Sequence, residues 1–325
     1  MSSRSGALTL QGSGVVSHKA TPVARGRSGS ALRIQHRRWG WLLVAPALIG
    51  FGVFTVGPMV ASLILSATDW SIGSTPQFNG FQNYSALMTD SLFADSLTAT
   101  GLYVLAAVPA TIGTALFAAV LMNQATRFTG FFRVAFYLPV LVPPVASAVL
   151  WLWLFNPDLG LFNTILRAVG LPAQPWIYSD RTSIISLAIM TAWAFGNTAL
   201  IFLAGLKGVP RELYEAAECD GAGAVRKFWH ITLPQISPVI LFNLVMGLIV
   251  AFQAFEQPFI MTKGGPNNST YFLVYYLYNK AFQSGQLGYA SAIAWVLFIL
   301  ILLTTVLVFG TSRSWVFYEN GSRKS

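Results

Sequence analysis

The residues able to do chemistry in this 325-residue chain are few and oddly placed. His18, His36 and His230 stand far apart and form no HExxH-type pair. Cys219 is the single cysteine, which excludes an internal disulfide and any cysteine-based metal site. No GxxxxGK[ST] sequence occurs, so the chain has no phosphate-cradling loop of its own. Pairs of acids inside apolar runs, which a proton-coupled carrier normally shows, are missing as well. What remains is one charged stretch, Glu212–Pro234 (ELYEAAECDGAGAVRKFWHITLP), and a sparse set of polar side chains in apolar sequence: Asn197, Asn243, Gln253, Glu256 and Gln257. Such groups can recognise a solute or transmit force. They offer no nucleophile-and-base pair, so the chain reads as something other than an enzyme.

The elements that position these groups are membrane spans. Hydrophobic residues make up 54% of the chain and charged ones only 10%, against roughly a quarter charged in soluble domains; mean hydropathy is +0.60. Residues 1–38 are rich in Ser, Gly and Arg and read as a disordered tail. The apolar run from Trp41 to about Ala67 exceeds the roughly 7–15 residues of a signal-peptide core, so it reads as a retained first span, bent at Pro46 or Pro58. Five further runs, near 98–122, 134–155, 184–206, 236–262 and 289–310, reach the roughly 20 residues a bilayer needs. Pro109, Pro139, Pro143 and Pro144 fall inside two of them, where neighbouring helices or a polar cavity must satisfy the freed carbonyls. With both termini inside, 16 of the 20 lysines and arginines face the cytoplasm, and only Arg167, Arg181, Lys263 and Lys280 lie outside. That distribution accounts for the formal charge of +9 without nucleic acid. The layout is a tail (1–38), a transmembrane domain (39–312) with a cytoplasmic loop at 207–234, and a second cytoplasmic tail (313–325).

Within that loop Pro210 suits a first helical turn, and Glu212, Glu215 and Glu218 complement the positive end of the helix dipole. Leu213, Ala216, Ala217 and Asp220 recur at helical spacing as a narrow face, and adjacent alanines let another backbone approach closely. Gly221 and Gly223 break the helix where a reversal needs positive φ. A second short helix, Ala224–His230, carries Val225, Phe228 and Trp229 with Arg226 and Lys227, and Pro234 closes the unit. Two readings fit: an amphipathic loop on the lipid headgroups, or a docking element for a soluble cytoplasmic partner. The acids of the first helix would oppose an anionic leaflet, which favours the second.

Glu215-Ala216-Ala217, Gly221 and Ile231-x-Leu233-Pro234 follow the pattern E-A-A-x3-G-x9-I-x-L-P without a slip. This resembles the EAA loop of the permease subunits of bacterial ABC importers. The resemblance implies an all-α integral membrane protein of six transmembrane helices, with the type I ABC importer permease fold and a cytoplasmic coupling helix. It implies that Glu215, Ala216, Ala217, Asp220 and Gly221 dock on an ATPase subunit whose closure drives alternating access. Leu233 and Pro234 are better explained by local packing.

Further along, Thr262-Lys263-Gly264-Gly265-Pro266-Asn267-Asn268-Ser269-Thr270, then Tyr278 with Ala281-Phe282, resemble the carbohydrate-uptake permeases of the maltose and glycerol-phosphate type. Asn79–Tyr84, Asn156-Pro157 with Gly160 and Asn163, and Leu203–Leu206 agree with this, so the resemblance covers roughly residues 40–312. It implies these partners: a second homologous permease, two ATPase subunits that bind ATP and Mg, an extracytoplasmic solute-binding protein, and a sugar. No cofactor is expected in this chain itself. A polyol needs amides and an aromatic platform in an apolar cavity. Asn243, Gly247, Val250, Gln253 and Gln257 fall near one face of the fifth run, with Glu256 beside them and Trp193, Gly196 and Asn197 opposite on the fourth. Trp193 fits interhelical packing equally well, and Glu256 fits simple exposure at the membrane surface. The Gly264-Gly265-Pro266 turn fits a tight loop better than sugar contact. Glycerol-3-phosphate or a glycerophosphodiester as the solute would call for a cation facing the cavity, and Arg133, near a cytoplasmic end, is the only one in the apolar runs. A stand-alone secondary carrier, with the charged loop a mere surface helix, is the remaining alternative.

Overall fold

The computed structural model describes residues 29–124 and 129–317. Residues 1–28 and 318–325 of the two expected tails, and Arg127, lie outside the described residues. The described residues fall into two compact units, one up to Pro58 and one from Met59 onward.

In the first unit, helix α1 (Gly29–Phe51) begins inside the segment expected to be disordered. Ser30–Trp39 contains no glycine or proline and is rich in Ala, Leu, Arg and Gln, which favour helix. Pro46 stays within α1, and the helix then widens into a π turn at Gly52–Val56. Pro58 follows directly; it cannot donate a backbone hydrogen bond and crowds the carbonyl one turn earlier, which a wider turn relieves.

The chain continues through α2 (Gly57–Ser66), a two-stranded ribbon and thirteen further helices. In the ribbon β1 (Thr68–Asp69) pairs antiparallel with β2 (Gln77–Phe78), Thr68 opposite Phe78. Then follow α3 (Gln82–Thr89), α4 (Ser91–Asn123), α5 (Thr129–Leu141), α6 (Pro144–Leu154), α7 (Leu161–Ala168), α8 (Asp180–Trp193) and α9 (Gly196–Lys207). The polar loop supplies α10 (Arg211–Cys219), α11 (Ala224–Lys227) and α12 (Leu233–Gln235), and the chain ends with α13 (Ser237–Phe252), α14 (Leu273–Tyr278) and α15 (Leu287–Ser312).

Among the described residues three helices are long and apolar enough to cross a membrane, 40–66, α4 and α15, and the number rises to six if each of three bent pairs is one span. The pairs are α5 with α6 (99°), α8 with α9 (54°), and Ala224–Gln235 with α13 (66°). The expected run 134–155 is therefore two helices. Pro143 is extended and Pro144 opens α6, because neither proline can continue the ladder of α5. The expected run 236–262 is also cut short: α13 stops at Phe252, and a π turn occupies Pro258–Thr262. In an unbroken helix Pro258 would leave the Ala254 carbonyl without its donor.

Helix α4 is the axis of the second unit, packed against α8, α9 and α13. Its contact face carries Ala99, Ala107, Ala115, Ala118 and Ala119, all buried; small residues let membrane helices approach closely without a hydrophobic drive between them. One core surrounds Tyr103, Trp151, Phe155, Phe272 and Ile293, and a smaller one joins Ala115–Met122 of α4 to Phe202 and Leu206 of α9. Phe242, Met246 and Val250 on α13 and Phe298, Leu302, Leu303 and Val306 on α15 stay exposed, as lipid-facing surfaces do.

Candidate functional site

The charged stretch folds into a helical hairpin between the fourth and fifth spans. Helix α10 ends in a Schellman motif: the Ala222 N–H donates to the Ala217 carbonyl (2.8 Å) and the Gly221 N–H to that of Glu218 (3.0 Å). Gly221 sits at φ +73°, the left-handed conformation this closure needs. Gly223 does not share that role: its φ is −71°, and it opens α11 from an extended conformation. The second helix also departs from the expected Ala224–His230. After Lys227 the chain widens into a π turn, Phe228–Thr232, and runs through Leu233–Gln235 before bending into α13.

The expected apolar face of α10 is divided. Tyr214 and Ala217, three apart, turn inward: Tyr214 packs against the smaller core, and its hydroxyl lies 2.9 Å from that of Thr232. Leu213, Glu215, Ala216, Asp220 and Gly221 are left exposed. The anchoring residue is thus the one aromatic among the acids, a signal present in the sequence but outweighed there by the alanine pair. Lys227 Nζ lies 2.7 Å from Glu218 Oε1 and ties the two arms of the hairpin together. Under it is a cleft of ≈ 260 Å³, lined by residues including Val120, Leu206, Tyr214, Phe228 and Thr232. The Ser237 hydroxyl, buried at the bend into α13, donates to the Pro234 carbonyl (2.6 Å) and accepts the Phe317 N–H (2.9 Å). The hairpin is therefore held by the bundle on one side and free on the other.

The polar groups expected to line a pathway do not form one helical stripe. Asn243 is buried, and its Nδ2 donates to the Val239 carbonyl one turn earlier in α13 (3.0 Å). Gln253 caps that helix and is exposed, Glu256 is exposed, and Gln257 is half-buried. A single face through 243, 250 and 257 does not exist, because the helix ends at Phe252. Trp193 closes α8 and meets Trp151 edge-on, with centroids 5.8 Å apart. Asn197 is exposed in the first turn of α9, beyond the bend, so Trp193 and Asn197 do not share one straight helix. Among the described residues no hydrogen bond joins Asn197 to Asn243, Gln253, Glu256 or Gln257, and no three His, Cys, Asp or Glu converge as metal ligands.

At the end of the bundle where α4 begins, an unforeseen polar knot fixes three helices. Asp90 caps α4: its Oδ1 accepts from the Leu92 N–H (2.9 Å) and, more weakly, the Phe93 N–H (3.4 Å). Its Oδ2 accepts the Tyr276 hydroxyl and, at 2.7 Å, the Tyr289 hydroxyl, reaching α14 and α15. The Lys280 ammonium lies over both rings, 5.5 and 5.1 Å from their centroids. Burial pushes the Asp90 carboxyl up, but the Tyr276 and Tyr289 hydroxyls and the two amides outweigh it and hold it below its ordinary value. A carboxyl depressed by folding contributes stability that is present above its unfolded pKa and lost as pH falls through the folded one. Asp90→Asn is expected to lower the thermal midpoint of the detergent-solubilised protein, by about 2 kcal/mol of stability, at pH above ~4. The gap from the unmodified chain should narrow as pH falls further. An equal gap at all pH values would mean that the charge of Asp90 contributes nothing.

The loop Lys263–Thr270 closes on itself. Lys263, Gly264, Asn267 and Asn268 take positive φ, Thr270 Oγ1 donates to the Gly265 carbonyl (2.8 Å), and the Ser269 hydroxyl lies 2.9 Å from that of Ser183 on α8. This is the tight loop expected of Gly264-Gly265-Pro266. Asn163 is likewise structural: fully buried, it donates to the Pro157 and Gln174 carbonyls and accepts from the Gln174 N–H and the Trp176 indole, all at 2.9 Å.

Residues 111–314 match the family described as binding-protein-dependent transport system inner membrane component. The chain is 43% identical over 286 residues to the probable ABC transporter permease protein YesP of Bacillus subtilis, covering 86% of this chain and 92% of that protein. It is 33% identical over 283 residues to the multiple sugar-binding transport system permease protein MsmF of Streptococcus mutans, covering 86% and 97%. The fold matches a chain of a solved bacterial ABC transporter involved in the import of the acidic polysaccharide alginate, with a TM-score of 0.74 at 21% identity, covering 87% of this chain and 98% of that one. With up to six apolar spans among its described residues, an exposed EAA turn and a family match over residues 111–314, the chain belongs to the binding-protein-dependent transport system inner membrane components, the permease subunits of ABC importers.

Proposed function

We propose that this permease carries a sugar, in a heterodimer with a second homologous permease, driven by two cytoplasmic ATPase subunits and loaded by an extracytoplasmic solute-binding protein. The observation that carries the mechanism is the exposed turn of α10: Glu215, Ala216, Asp220 and Gly221 face outward from a hairpin whose back is fixed by Tyr214. Such a part can take up a push from a docked subunit and pass it through the Pro234–Ser237 bend into α13. ATP and Mg belong to the ATPase partners. Both termini are cytoplasmic on the lysine and arginine distribution, which puts the hairpin on that side and the Asp90 knot outside.

Support for a sugar comes from the likeness to MsmF, a permease of a multiple sugar-binding transport system, and from the uncharged polar groups at the helix breaks, Asn197, Gln253 and Gln257. A neutral polyol is recognised by amides of this kind. In this reading Trp193, Asn197, Gln253, Glu256 and Gln257 lie along the route, and Asn243 reaches it only if α13 rotates. Glycerol phosphate is disfavoured because Arg133 is the only cation in the apolar runs.

Gentle extraction of the tagged chain, with mass spectrometry of what accompanies it, tests the assembly. A second six-span permease and an ATPase should co-purify; a chain that comes out alone and moves solute without nucleotide would refute the proposal. For the route, Gln253→Ala is expected to raise the sugar concentration for half-maximal uptake about fivefold, the loss of one hydrogen bond worth ~1 kcal/mol. The complex should still assemble. Unchanged uptake kinetics would remove Gln253 from the route.

A further inference from the structure

The bend that joins the hairpin to α13 is also where the segment after α15 is fastened. Pro238 has no N–H to offer the Pro234 carbonyl one turn earlier, and the buried Ser237 hydroxyl donates to it instead, at 2.6 Å. The same oxygen accepts the Phe317 N–H at 2.9 Å, across 80 positions of the chain. One hydroxyl thus ties together the end of the hairpin, the first turn of α13 and the segment that follows α15.

Capping of α15 does not account for this contact. The Trp315 and Val316 N–H groups already turn back to the Ser312 carbonyl, at 3.2 and 2.8 Å, and close the helix locally. Among the described residues every other hydrogen bond of residues 314–317 goes to Thr311 or Ser312. Only the Phe317 amide reaches another helix. The fastening is also light: Ser314, Trp315 and Phe317 are exposed and Val316 is half-buried, so little apolar burial adds to that one bond. A contact of this size opens locally at small cost, whereas a packed core does not.

The bend gives such a contact leverage. Any push on the hairpin enters α13 through the 66° change of direction at Ile236, and α13 in turn packs on α4, α9 and α15. We propose that residues 314–317 are a releasable strap: bonded to Ser237 they hold the bend at rest, and the bond parts when α13 turns with the hairpin. The proposal rests on the coupling reading of the α10 turn and adds a restraint to it. Coupling between two sites is reciprocal, so a strap that holds α13 at rest also disfavours closure of the ATPases.

The test uses the complete complex with its ATPases in lipid nanodiscs, with neither binding protein nor solute, and follows phosphate released from ATP. Phe317→Pro removes the N–H and leaves the Ser237–Pro234 bond, while Phe317→Ala keeps the N–H and removes the ring. Loss of one such bond shifts a two-state balance about fivefold. Phe317→Pro should therefore hydrolyse ATP about fivefold faster than the unmodified complex, and Phe317→Ala should stay near the unmodified rate. Hydrogen–deuterium exchange follows the bond itself. The peptide containing Phe317 should exchange slowly without nucleotide and faster once ATP and vanadate trap the ATPases closed. An unchanged rate in Phe317→Pro, an equal rise in both variants, or equal exchange in the two states would each overturn the strap. Gly221→Arg keeps the two readings apart. If it binds the ATPases as the unmodified chain does, the coupling reading fails and the strap with it. If it loses them while Phe317→Pro changes nothing, the strap alone is wrong.

Discussion

Replacing Gly221 by arginine is expected to abolish uptake while leaving the chain inserted in the membrane. Two effects combine at this position. The residue sits at φ +73°, where a side chain on an L-residue costs roughly 1 kcal/mol, and α10 closes its C-terminus through that conformation. Nothing lies within 4 Å of the Cβ position, so a side chain starts into open space on the surface that the ATPase is proposed to cover. The bundle should be intact, because Gly221 is exposed and α10 keeps its anchor at Tyr214. ATPase affinity should fall by about 2 kcal/mol or more, roughly 30-fold. Gly221→Ala separates the two effects: it carries the strain without the bulk and should retain part of the uptake. The measurements are solute uptake and the amount of ATPase recovered with the tagged permease. Normal transport by Gly221→Arg would remove the coupling role from the EAA turn.

Gly196→Val should act by the opposite route, through the bundle and not its surface. A Cβ at Gly196 would lie 2.7 Å from the Phe136 carbonyl oxygen and 2.8 Å from Val140 Cγ2, where α9 starts its course against α5. The first obstacle is backbone, so no side-chain rotation relieves it. Wedging the helices apart at this buried crossing should destabilise the protein by about 3 kcal/mol. It should also misplace the neighbouring Asn197. A lowered thermal midpoint in detergent, together with weak uptake, is the expected result. A midpoint like that of the unmodified chain would show that the distance between α5 and α9 is not set at Gly196.

Both sites were visible in the sequence, but for different reasons. The EAA turn was legible because seven residues at fixed spacing within 20 positions all act locally; a Schellman closure is a property of α10 and its next three residues alone. The apolar runs that make up to six spans were legible because bilayer thickness acts on composition, whatever the packing. Gly196, by contrast, was noted only as sharing a face with Trp193 and Asn197. Its tight contact with α5, about sixty residues earlier, is a tertiary fact.

The misreadings have the same origin. The stripe through Asn243, Gln253 and Gln257 presumed a helix continuing to residue 262, and periodicity cannot register that Pro258 deprives the Ala254 carbonyl of its donor. Three spans proved bent, one at Pro143-Pro144 and one at Ala194-Phe195 with no proline at all. Asp90 gave no hint of itself, since its partners Tyr276 and Tyr289 lie almost 200 residues away, and only the approach of α14 and α15 to the start of α4 makes it a junction.

The sequence by itself thus determined the class of protein, the apolar runs that supply its spans and the turn that closes α10, because hydropathy and a local turn depend on residues close together in the chain. Only the tertiary structure decided where the spans bend, which face of α10 is anchored through Tyr214, and that Asp90 meets Tyr276 and Tyr289 in one knot. Each of these depends on which distant segments meet, and in a membrane that is set by close packing and by the pairing of freed backbone groups, which no periodicity along the chain records.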